Sequence, residues 1–180
     1  LFTLEALADA ADRLPPTCIE VRSSANVHGG AFPRQAAAGA GDIIRTIGTS
    51  DRWVMLRGIE QLPEYGHVIA EGLADAERVI AAATGAPRTR QSFVFISSPG
   101  LLTPLHFDPE YNLFFQIFGH KQFALLPAAA PWISEEAVER FRATGDNLIP
   151  CSRDVEEAGV IHDVAPGDGL YVPYCAPHWV

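Results

Sequence analysis

His106 and Asp108 stand two residues apart in the segment Thr-Pro-Leu-His-Phe-Asp that runs from Thr103 to Asp108. On a strand, residues i and i+2 leave the same face of the sheet, so this imidazole and this carboxylate can converge on one point. One nitrogen and one oxygen donor suit a borderline divalent cation such as Fe(II). A further histidine completes the facial set that leaves positions open for substrate and dioxygen. His178 can supply it, but it lies far downstream and only the fold can bring it back. The pair alone is weak evidence, because a half-buried strand histidine hydrogen-bonded to a neighbouring Asp has the same sequence.

The remaining histidines are less promising. His28 sits in a Gly-rich stretch, His67 falls on a long helix, His120 lies at a hairpin tip and His162 stands beside Asp163 in a turn. All four read as surface or structural. Cys18, Cys151 and Cys175 form a scattered, odd set without a CxxC pair, which argues against a disulfide framework and against a structural zinc site and predicts buried free thiols. Cys175 precedes His178 by three residues, but a lone CxxH is a weak metal signature.

The elements that must position these groups fall into two halves. In the first, Thr3 caps a helix with Leu4, Leu7, Ala8 and Ala11 on one face, closed by Pro15-Pro16. A strand follows from Cys18 to Arg22, and the Ala- and Gly-rich stretch from His28 to Gly41 reads as a loop. Asp42 opens a helical turn, Trp53 to Arg57 is a strand closed by Gly58, and the longest helix runs from Pro63 to about Ala83.

In the second half, Gln91 to Ser97 and Leu102 to Asp108 read as strands joined by Ser98-Pro-Gly. Tyr111 to Phe118 and His120 to Leu126 are expected to pair as a hairpin about Gly119, with Tyr111, Phe114, Phe115 and Phe118 on buried faces. A polar helix follows over Pro131 to Thr144, capped near Ser134, and Gly169 to Pro173 is the last expected strand. Helices early and strands late, with short turns between strands, predict a mainly β, α+β architecture around an antiparallel sheet or jelly roll.

A chain of 180 residues with 48% hydrophobic residues can bury a continuous core as one domain. The formal net charge of -9 leaves no basic footprint for phosphate backbones or anionic lipid, so nucleic acid is disfavoured as a general partner. No apolar run is long enough to span a bilayer, and no signal peptide is recognisable, which makes the cytoplasm the expected compartment. The sequence opens on Leu1 and stops two residues after His178, and it reads as a piece truncated at the C-terminus. The composition says nothing of oligomeric state.

The company of the His-x-Asp pair is more specific than the pair. After Thr103-Pro-Leu-His-Phe-Asp108 come Asn112, Phe114, Gln116-Ile117, Gly119, Lys121 and Leu126-Pro127, and much later Pro166-Gly-Asp-Gly-Leu-Tyr-Val-Pro173 and His178. This string resembles the JmjC and cupin-like 2-oxoglutarate- and Fe(II)-dependent oxygenases, nearest the branch of the hypoxia-inducible factor asparaginyl hydroxylase. The likeness is detailed from Thr103 to Pro127 and from Pro166 to Val180, and loose before Arg90.

The resemblance implies a single domain over residues 1–180. Residues 1–90 would form a mixed helical and strand part, and residues 91–180 a double-stranded β-helix, the cupin or jelly-roll core. It makes His106, Asp108 and His178 the iron ligands and the catalytic centre. Lys121 falls where these enzymes grip the distal carboxylate of 2-oxoglutarate, with Thr103 and Asn112 helping to hold that cosubstrate. The implied cofactors are Fe(II), 2-oxoglutarate and O2, and the implied substrate is a protein or peptide side chain or a small molecule. Cys175-Ala-Pro177 departs from the pattern, since relatives carry bulky aromatics there, and predicts a smaller substrate-side wall.

Lys121 draws attention without the resemblance. It is the only lysine beside 12 arginines, and a compact ammonium on a flexible stem suits a carboxylate inside a narrow barrel. A solvated lysine at a hairpin turn is the plainer alternative. Two rival functions remain open at this point: a cupin metalloenzyme that does not use 2-oxoglutarate, and a non-catalytic cupin binding module.

Overall fold

The first helix, α1 (Leu4–Arg13), begins where Thr3 accepts a hydrogen bond from the Ala6 N–H, and it turns Leu7, Ala8 and Ala11 into the core. The computed structural model describes residues 1–23, 28 and 32–180. The loop expected over His28 to Gly41 lies in part outside the described residues. Two units make up the chain: Leu1–Ser24 with Phe32–Leu101, and Ala25–Ala31 with Leu102–Val180.

The first unit is built on an antiparallel sheet of β1 (Ile19–Ser23), β2 (Arg34–Gln35), β3 (Arg52–Arg57) and β4 (Phe93–Ser97), in the order β2-β1-β3-β4. Val54 and Leu56 of β3 are fully buried and join Val21, Leu7, Leu14 and Ile44 in one core. Ile44 comes from α2 (Ala40–Arg45), which packs on α1. The long helix α3 (Pro63–Thr84) starts on Pro63, where the missing N–H costs nothing, and ends at Gly85. The strand β4, grouped from sequence with the barrel core, pairs instead with β3.

The second unit holds β5 (Asn112–Phe115), β6 (Lys121–Leu125), α4 (Glu135–Thr144), α5 (Arg153–Ala158), β7 (Val160–Val164), β8 (Gly169–Val172) and β9 (His178–Trp179). These strands form two antiparallel sheets, β5-β8 and β7-β6-β9. The sheets meet through Phe114, Leu170 and Val172 on one side and Phe123 and Leu125 on the other, with Ala176 in the same cluster. As expected, Ser134 caps α4 by accepting from the Ala137 N–H.

Five expectations are corrected by the structure. The hairpin does not form. Gly119 does turn the chain at φ 74, and the Gln116 side chain holds that turn by donating to the carbonyls of Phe118 and Gly119. However, β8 takes the pairing edge of β5, while β7 and β9 take both edges of β6, so the two arms enter different sheets. In consequence Tyr111, Phe115 and Phe118 are exposed on the uncovered side and only Phe114 faces the interior.

His162 lies within β7, opposite Phe123, rather than in a turn. The segment from Leu102 to Asp108 makes isolated bridges instead of a continuous strand, and β9 follows the strand expected to be last. Among the described residues no helix is long and apolar enough to cross a membrane.

Candidate metal centre

The stretch of chain separating His106 from His178 is closed by two hydrogen bonds. The His106 N–H donates to the His178 carbonyl at 3.0 Å, and the His178 N–H donates back to the His106 carbonyl at 2.8 Å. Residues that exchange both bonds stand directly opposite in an antiparallel bridge, with their side chains on the same face. The Thr103 N–H extends this pairing to the Val180 carbonyl at 2.7 Å. On its other edge His178 pairs with Leu125 of β6, so it is held from both sides.

The two imidazole centroids are 4.2 Å apart, and Asp108 Oδ2 lies 3.5 Å from His178 Nε2. One donor atom from each of His106, Asp108 and His178 falls within 4.8 Å of the others. Each ring is oriented through its other nitrogen: His106 Nδ1 is 2.8 Å from the Pro104 carbonyl, and His178 Nδ1 is 2.9 Å from the Ala176 carbonyl. A carbonyl can only accept, so a neutral ring carries its proton on Nδ1 and leaves the Nε2 lone pair for a metal.

Asp108 is aimed in the same way. Asn112 donates to Oδ2 at 2.8 Å, and Asn147 donates to Oδ1 at 3.4 Å while also holding the Phe107 carbonyl at 3.0 Å. His178 is buried, whereas His106 and Asp108 are partly open, so the group is reached from their side. Burial pushes the His178 imidazole pKa down to about 4, and His106 adds to this against the opposing pull of Asp108. The ring is therefore neutral, which is the ligating form.

Lys121, Phe123 and Leu125 share one face of β6 by their spacing, and Phe123 stacks on the His178 ring at 5.2 Å and 12°. Lys121 thus leaves the strand on the same face as Phe123 and the His178 ring. Burial holds its ammonium pKa below the ordinary value. It also borders an open hollow of about 410 Å³ with His120, Gln122, Asp163 and Val164, none of them a member of the triad.

Asn112, expected beside the cosubstrate, is engaged with the Asp108 carboxylate. Thr103 sits in the pairing that closes the site. Cys175 contributes its backbone, donating to the Asp108 carbonyl at 3.0 Å from φ 58, while its side chain packs with Phe107 and Ala137. Of the three free thiols only Cys175 is fully buried. Sequence reasoning missed Asn147, which follows α4 in an ordinary-looking loop, and the stacking role of Phe123, which reads as one more core aromatic. Compared with protein-family models and with curated proteins, the chain matches none.

Proposed function

We propose that this chain is an Fe(II)- and 2-oxoglutarate-dependent oxygenase of the JmjC and cupin-like type. It hydroxylates a protein side chain or a small molecule in the cytoplasm and releases succinate and carbon dioxide. In this reading the two sheets packed through Phe114 and Phe123 are the halves of a double-stranded β-helix. The observation that carries it is the convergence of His106, Asp108 and His178 with both Nδ1 atoms engaged by backbone carbonyls and the carboxylate gripped by two amides.

The donor set fits Fe(II): two imidazole nitrogens and one carboxylate oxygen are a facial triad, and the half-open side leaves room for further ligands. When bound, iron with 2-oxoglutarate and O2 supplies the oxidising power needed to attack an unactivated C–H bond. The protein binds and orients. His106 and His178 present Nε2, Asn112 and Asn147 keep Asp108 from rotating, and Phe123 shields one flank of the site from water. Lys121 binds the distal carboxylate of the cosubstrate, and that negative charge offsets the desolvation acting on its ammonium. The net charge of -9 is compatible with a dicarboxylate because the recognition is local.

Anaerobic titration of the folded protein with Fe(II) and then 2-oxoglutarate tests this. A metal-to-ligand charge-transfer band is expected, together with Fe(II)-dependent succinate formation that falls to background in Lys121→Ala. Absence of the band in folded protein would refute the reading, and turnover unchanged in Lys121→Ala would favour a metalloenzyme that does not use 2-oxoglutarate.

A further inference from the structure

We propose that His28, Cys151 and Glu156 form a second metal site, selective for Zn(II), beside the strand that carries His178. One donor atom from each lies within 4.8 Å of the others. Cys151 immediately precedes Ser152, the residue that caps α5, and Glu156 lies one turn into that helix. The Cys151 sulfur is 4.0 Å from Glu156 Oε1. His28 presents its ring edge-on to Trp179 at 5.2 Å, and its Nδ1 is buried with no hydrogen-bond partner among the described residues. A buried, unsatisfied imidazole nitrogen carries a desolvation cost that a cation removes.

The chemistry of the set selects the ion. Thiolate, imidazole and carboxylate together favour zinc, whereas the His106 group has no sulfur. Zinc bonds of about 2.0–2.3 Å hold tetrahedral ligands roughly 3.3–3.8 Å apart. The three atoms therefore need to close by about an ångström, and Glu156, exposed on α5, is free to do so. Burial keeps the His28 ring neutral, and burial together with Glu156 keeps the Cys151 thiol protonated in the metal-free protein. Binding forms the sulfur–zinc bond and releases the thiol proton to solvent. Three protein ligands leave a fourth position for water. Because the ligands come from residues 28, 151 and 156, no local cysteine spacing announces the site.

Cobalt(II) tests the proposal independently of the oxygenase reading, because only a site with sulfur gives a thiolate-to-cobalt charge-transfer band in the near ultraviolet. Metal-free protein, kept reduced with a phosphine, is titrated with Co(II) alone. The band is expected in the wild type and in His106→Ala, and absent in Cys151→Ser. Glu156→Gln, an exposed change that leaves the circular dichroism spectrum unaltered, weakens binding at the sulfur site about tenfold or more. No band in the folded wild type would overturn the proposal, as would a band that survives Cys151→Ser and so belongs to another cysteine.

Discussion

Asp108 owes its direction to two amides, of which the sequence singled out only Asn112, and for the cosubstrate rather than for this role. Asn112 lies four residues away in the same motif, whereas Asn147 arrives from the far end of α4. Residues that orient a metal ligand typically change affinity by about 10- to 100-fold when removed. Asn147→Ala is accordingly expected to weaken Mn(II) binding by about tenfold with little change in the circular dichroism spectrum, read by calorimetric titration. An unchanged affinity would show that Asn112 alone suffices.

His178 supplies a second residue-scale prediction. In metal-free protein its folded pKa, about 4, lies below the ordinary 6.5. The unfolded chain takes up a proton near pH 6.5 that the folded chain refuses until near 4, so stability is full above pH 6.5 and falls as pH drops through that window. Urea midpoints at pH 7 and pH 5 in the presence of a chelator should show the decline. His178→Gln should reduce it, and an identical pH slope in the variant would contradict the assignment.

At the scale of elements, the site depends on the short strand β9. Its Trp179 is buried with Leu105, Ala124 and Leu126, and it leaves no space above Gly159, where an added Cβ would meet the indole at 2.2 Å. An indole wedged in a core cannot step aside like the tip of a flexible side chain. Gly159→Ala should therefore cost about 1–3 kcal/mol of stability and weaken metal binding through the displaced neighbour His178, measured by thermal melts and Mn(II) titration. A stable variant with normal affinity would mean that β9 can shift without moving its histidine.

Apart from α5 the helices, and most strands, were legible at this scale, because capping by Thr3 and Ser134, Pro63 in a first turn, and β-rich runs such as Arg52–Arg57 act locally. The pairing of β5 and β6 was not. Gly119 permits a hairpin, but the competing partners β8, β7 and β9 lie too far along the chain to be weighed locally.

At the scale of the whole molecule, all three triad residues belong to the second unit, and binding should be felt there first. Mn(II) at about 100 times its dissociation constant is expected to add about 2.7 kcal/mol of stability. Hydrogen exchange should locate the gain at the amides of Thr103, His106 and His178, whose bonds close the site, while amides of α1 keep their rates. An equal slowing in both units would show that the chain opens only as a whole.

What the sequence determined by itself is the chemistry on offer. A His-x-Asp pair, a single lysine among arginines, a second histidine near Val180 and an acidic balance are all properties of residue type and short spacing. Only the tertiary structure decided which of these groups meet. The His106–His178 bridge, the grip of Asn147 on Asp108, the division of an expected hairpin between two sheets and the gathering of His28 with Cys151 and Glu156 all join residues distant in the chain. Such contacts are selected by backbone hydrogen-bond pairing and apolar burial across the whole unit, and no local pattern encodes them.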